Sequence, residues 1–239
     1  MSVDMFASGF RSPVEQGIFP FPLEEYGRSF EGTPLRFLPA AKEARLLIFA
    51  AIHGEETETT FLLSRALRML RNSPPYVACV LSANPDGALR GTRANARGVD
   101  LNRNFPTRNW QKGVALSRLL LESPRITELS CGEFAGSEPE TQALIRLIRS
   151  LSVKKAVALH SPFGIIDSET QTELSQKMET VFRLPWQKGV GYPTPGSFGT
   201  FASEKGIECV TVELPREAPE ELVSLFAEPL AEFLQSYTG

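Results

Sequence analysis

The chain has 239 residues, 42% of them apolar and 22% charged, with 18 glycines, 18 prolines and no long biased tract, the profile of one globular domain over residues 1–239. Lysine plus arginine at 25 against aspartate plus glutamate at 28 gives a formal charge of -3, too balanced for a nucleic-acid or anionic-membrane surface to lead. Its longest nearly uncharged apolar run, Leu46–Ile52, is far short of the roughly 20 residues that cross a bilayer.

In chain order, residues 1–40 read as a flanking segment rich in glycine, proline and aromatics, in which Gly27-Arg-Ser-Phe-Glu-Gly-Thr-Pro34 is a turn leading to a short strand, Leu35–Leu38. Four later runs have the apolar content of buried strands: Leu46–Ile52, Val77–Ser82, Ala156–Leu159 and Ile207–Val212. Helical patterns separate most of them. Glu56–Leu70 ends at Asn72-Ser-Pro-Pro75, which cannot continue a helix. Glu140–Leu151 carries Leu144, Leu147, Ile148 and Leu151 at helical spacing, with Ser137 as a cap upstream. Gln171–Phe182 and Glu217–Phe233 add two more, the last kinked at Pro229. Strands alternating with helices predict an α/β fold: a mixed, mostly parallel twisted sheet with helices on both faces.

The amino terminus has an acid, Asp4, where an export signal needs positive charge. Three cysteines, Cys79, Cys131 and Cys209, are an odd number without CxxC spacing and read as free thiols. Both features predict a cytoplasmic protein. A homodimer is the expectation from the general habit of soluble enzymes. A chain of this length folds without a structural metal, so a bound metal would serve chemistry.

The polar residues that end the apolar runs carry the functional signal: His53 closes the first, Asn84-Pro-Asp-Gly87 the second, His160 the third and Glu213 the fourth. In open α/β sheets the ligand crevice lies outside the carboxyl ends of the strands. A lone histidine is more often structural than a ligand, but here both histidines of the chain stand at strand ends. In His53-Gly-Glu-Glu56 a carboxylate follows the imidazole by three residues across a strand-to-helix turn, so Glu56 can converge with His53, while Glu55 points elsewhere. Two imidazoles and one carboxylate form a three-ligand set for a catalytic Zn²⁺, one per chain, with a position open to water. Amide hydrolysis also needs a base, and Glu213 at the end of its strand is the candidate. The segment Arg93–Asn104 is dense in cations and amides and is suited to an anion.

Taken together, His53-Gly-Glu-Glu56, Asn84-Pro-Asp-Gly87, Gly98-Val-Asp-Leu-Asn-Arg-Asn-Phe105, His160, Thr211-Val-Glu213 and the Gly27–Leu35 segment resemble the zinc carboxypeptidase (M14, carboxypeptidase A-like) family over most of the chain. The resemblance implies that His53, Glu56 and His160 hold zinc and that Glu213 is general base and then acid. It further implies that Arg93 stabilises the oxyanion, Asn102 and Arg103 grip a substrate carboxylate, Asp100 fixes the tautomer of His53, and Tyr192 is the mobile tyrosine of the site. The chain is shorter than the digestive members and is similar to intracellular bacterial members, which implies a murein tripeptide substrate, L-Ala-γ-D-Glu-meso-diaminopimelate, cut at the γ-D-glutamyl–diaminopimelate amide. Rival readings are a family enzyme acting on a C-terminal residue or an N-acyl amino acid, and an inactive zinc- or peptide-binding module; Glu213 argues against the last. Ser197 and Phe198 are expected on the pocket wall.

Overall fold

The computed structural model describes residues 10–117 and 127–239. Strands β1 (Glu24–Arg28) and β2 (Pro34–Phe37) form an antiparallel hairpin, so Gly27 and Arg28, expected in the turn, belong to the first strand. The chain then enters β3 (Leu46–Phe49), α1 (Thr57–Met69), β4 (Val77–Val80) and a short helix α2 (Pro85–Arg90). A second hairpin, β5 (Val114–Ser117) with β6 (Thr127–Ser130), precedes α3 (Pro139–Leu151). The remainder runs β7 (Lys155–His160), β8 (Phe163–Asp167), α4 (Glu173–Phe182), β9 (Trp186–Gln187), α5 (Phe198–Glu204), β10 (Glu208–Pro215) and α6 (Pro219–Ser236).

Among the described residues six strands make the central sheet, in the order β4-β3-β7-β10-β8-β9. The first four are parallel to one another, while β8 runs antiparallel to β10 and β9 follows β8. This is the α/β architecture expected, mixed and mostly parallel. The apolar runs read as continuous because both sheet faces are covered: Leu46 and Ile48 pack toward α1, α4 and α6, and Leu47 and Phe49 toward α3 and α5. Phe49 meets Phe198 edge to face at 4.7 Å between ring centroids.

Helix starts follow local chemistry. Thr172 and Ser175 cap α4 reciprocally, and Pro139 opens α3 where its missing N–H costs nothing. Ser137 is not the cap expected: Glu138 holds that position without a side-chain cap bond, and the Ser137 hydroxyl instead donates to Glu138 Oε1 at 2.6 Å. The helix α6 continues through Pro229 to Ser236. Asn84-Pro-Asp-Gly87 is more than a turn. Asn84 accepts from the Gly87 amide at 3.0 Å and starts α2, with Pro85 at its first position. That helix backs directly onto the turn after β3, where a Cβ on Gly54 would meet the Gly87 carbonyl carbon at 2.2 Å, so only glycine allows the two backbones to touch.

Candidate active site

The sheet order explains why residues distant in sequence meet. Strands β3, β7 and β10 are consecutive neighbours and parallel, so their carboxyl ends open on one edge. His53 lies in the turn after β3, Glu56 sits at the N-cap of α1, and His160 is the last residue of β7. Glu213 is paired in register with His160, which brings the expected base beside the expected ligands.

His53 Nδ1 lies 2.7 Å from Glu56 Oε1, His160 Nδ1 2.9 Å from Glu56 Oε2, and the two Nδ1 atoms are 3.2 Å apart. All three side chains are buried. Two imidazole nitrogens crowded against a carboxylate inside a protein form a donor set that suits a divalent cation of borderline softness. Burial works to raise the Glu56 carboxyl, but the two imidazoles outweigh it and hold it well below the usual range. The histidines diverge. Burial and Arg93 depress His53, yet Glu56 and Asp100 together carry it above its ordinary value, whereas burial leaves His160, with Glu56 alone to offset it, below.

Asp100, 1% exposed, organises the next layer. Its Oδ1 stands 3.3 Å from His53 Nε2 and accepts from the Asn102 amide at 2.9 Å, while its Oδ2 accepts from Arg93 Nε at 3.0 Å. An acceptor opposite Nε2 places the proton there and turns Nδ1 and its lone pair toward Glu56. Burial opposes the charge on Asp100, but Arg93 and His53 overcome it and keep the carboxyl well below its ordinary value. Arg93 reaches Glu55 Oε1 at 3.5 Å and Glu56 Oε1 at 3.7 Å through Nη1. Glu55 stays out of the His–Glu–His cluster, as expected, but it lines the same cavity and its buried Oε2 has no hydrogen-bond partner.

The segment expected to receive an anion is ordered. Asn102 Oδ1 accepts from the Phe198 amide at 2.8 Å, and Arg103 Nη1 donates to the Asn102 carbonyl at 2.7 Å. Both residues line the cavity together with His53, Glu56, Arg93, His160 and Glu213. Glu213 is 6% exposed and its Oε2 is buried without a partner. Burial, then the nearby Glu56 charge, pushes its carboxyl up to about 8. Tyr192 is half exposed on the cavity wall. Ser197 lines the cavity, but Phe198 does not: it is 1% exposed and packs on Phe49 and Phe105, so only its backbone amide serves the site. The cavity is wide, about 1350 Å³.

The zinc carboxypeptidase family model matches residues 21–166, a span that contains His53, Glu55, Glu56, Arg93, Asp100, Asn102, Arg103 and His160 but not Tyr192, Ser197, Phe198 or Glu213. The chain belongs to this family. Among its zinc carboxypeptidase relatives, murein peptide amidase A of Escherichia coli K12 is 40% identical over 228 residues, 94% of each chain, and that of Vibrio campbellii is 41% identical over 205 residues, 84% of this chain and 83% of the relative. The crystal structure of murein-tripeptide amidase from Escherichia coli O157 superposes with a TM-score of 0.93 at 39% identity, covering 97% of this chain and 99% of that one. Carboxypeptidase A from Helicoverpa armigera, 20% identical, shares the fold at a TM-score of 0.65 over 88% of this chain and 66% of its own.

Proposed function

We propose that the protein is a zinc-dependent amidase that hydrolyses the γ-D-glutamyl–meso-diaminopimelate bond of murein tripeptide, in the recycling of cell-wall peptides. The observation that carries this reading is 40% identity over 94% of both chains to murein peptide amidase A, in a chain whose His53, Glu56 and His160 offer ligand atoms within 4.8 Å of one another. Zinc bound by those three side chains would act as a Lewis acid on the amide carbonyl and acidify water.

The chain's own residues supply the rest. Glu213, with Oε2 unpartnered beside the cluster, takes a proton from the attacking water and returns it to the leaving nitrogen. Arg93, held by Asp100 and Glu55, presents positive charge where the carbonyl oxygen becomes anionic. The diaminopimelate carboxylate next to the scissile amide is received by Asn102 and Arg103. Tyr192 closes over the bound peptide from the cavity wall. A cytoplasmic site of action is supported by three free thiols, Cys79, Cys131 and Cys209.

Chromatography of the reaction with L-Ala-γ-D-Glu-meso-diaminopimelate tests the reading. Free diaminopimelate and L-Ala-D-Glu are expected, sensitive to chelation. Absence of both, with release from an ordinary C-terminal peptide or an N-acyl amino acid, overturns the substrate.

A further inference from the structure

The cavity extends past the catalytic corner, along the face of β10 that carries Glu213. Strand side chains alternate, so Thr211 and Cys209 share that face, and both line the cavity. The antiparallel neighbour β8 places Asp167 directly opposite Thr211. Its predecessor Ile166 turns the other way, into the core under α4, which fixes Asp167 on the cavity side. Two residues of strand separate the level of Asp167 from that of Glu213, a drop of about 7 Å.

Asp167 is tied but not neutralised. Its Oδ1 accepts from the Gly189 amide at 2.7 Å, and among the described residues no cation is paired with it. Of its other neighbours, the Cys209 thiol, pushed up to about 12 by burial, stays neutral, Glu169 is a further acid, and the Lys188 ammonium on the same cavity wall is held by Glu169 at 3.6 Å and not by Asp167. A partly buried carboxylate in this setting is suited to a cationic group delivered by a ligand.

We infer that Asp167 reads the ammonium at the far end of the diaminopimelate side chain. This rests on the substrate proposed above. In that substrate four carbon–carbon bonds separate the α-carbon beside the scissile amide from the carbon bearing the distal amine, an extended reach of about 5 Å. With Asn102 and Arg103 holding the near carboxylate and Glu213 beside the leaving nitrogen, the side chain runs down the β10 face and ends within hydrogen-bonding distance of Asp167. Lysine carries its ammonium on the same carbon, whereas norleucine has the chain and no charge. Asp167 therefore separates the first two from the third.

Three peptides, L-Ala-γ-D-Glu linked to meso-diaminopimelate, L-lysine or L-norleucine, are assayed with wild type and Asp167→Asn, which keeps the size and the acceptor for Gly189. The variant should lose about 10- to 100-fold in kcat/KM on the first two, the range of one charged hydrogen bond, and stay close to wild type on the third. Calorimetric binding of free diaminopimelate against free norleucine should show the same contrast without turnover. An equal loss on all three peptides, or none on any, overturns the role of Asp167. Wild type that cleaves none of the three overturns the substrate reading instead.

Discussion

The two ends of the cavity are built on different principles. At the catalytic end, parallel strands β3, β7 and β10 stop together, and backbone direction alone brings His53, His160 and Glu213 to one edge. Deeper in, Asp167 and Thr211 meet across an antiparallel pair, from within the strands. Groups at strand ends are free to crowd one another, and they do: His53, Glu56, His160 and Glu213 are all buried there, with the two imidazoles and the Glu56 carboxylate within 3.2 Å of one another. Groups within the strands are spaced by the ladder, suited to measuring a substrate's length. Chemistry is concentrated at the edge and selection is spread along the face.

Removing charge at the edge should have the largest effect. Glu213→Gln is expected to retain metal, measured by elemental analysis, while turnover falls by on the order of 10²–10⁴-fold, the usual contribution of an acid–base group. Full activity in that variant would remove Glu213 from the mechanism. Next comes Asp100→Ala, which releases His53 Nε2 and Arg93 together; metal affinity by competitive chelation should drop about 10- to 100-fold, as for other partners of ligating histidines. Arg103→Ala should raise KM about tenfold for a free-carboxylate substrate, the loss expected of a charged hydrogen bond, and leave amidated analogues little changed.

The last effect is on stability rather than on function and depends on pH. In metal-free protein Glu213 is pushed from an ordinary 4.5 up to about 8, so the fold prefers its protonated form. The resulting stability is complete below about pH 4.5 and is lost as pH rises through 8. Metal-free Glu213→Gln should therefore outlast metal-free wild type at pH 9, by up to about 5 kcal/mol in urea unfolding, and the gap should close toward pH 4.5. A gap that does not change with pH would mean that Glu213 titrates normally.

The same contrast explains how much the sequence disclosed. His53, Glu56, His160 and Glu213 end or follow apolar runs, and a polar residue at such a boundary is visible without coordinates. The strands that carry them were legible because both faces are buried and the runs are unbroken. Asp167 gave no such signal: β8, Phe163–Asp167, contains a glycine and is half-buried along most of its length, and its meaning depends on being opposite Thr211. Helix α5 was hidden for a related reason, since its seven residues are too short to display a period. Ser137 does not cap because the helix is capped one residue later, at Glu138, and the Ser137 hydroxyl oxygen accepts from Asn104 Nδ2 while its proton goes to Glu138. Asn84-Pro-Asp-Gly87 showed its turn chemistry in the sequence, but whether the chain went on to a helix was decided by packing against Gly54.

The bond between the Phe198 amide and Asn102 Oδ1 leaves the carboxamide only one face to offer. With its oxygen occupied, what it turns to an incoming peptide is N–H, a hydrogen-bond donor. A visitor ending in a carboxylate finds a welcome there; one ending in a primary amide must sacrifice a contact or rotate its own oxygen inward. Swapping the side chain for its isosteric acid, Asn102→Asp, would reverse the polarity of that threshold without altering its shape.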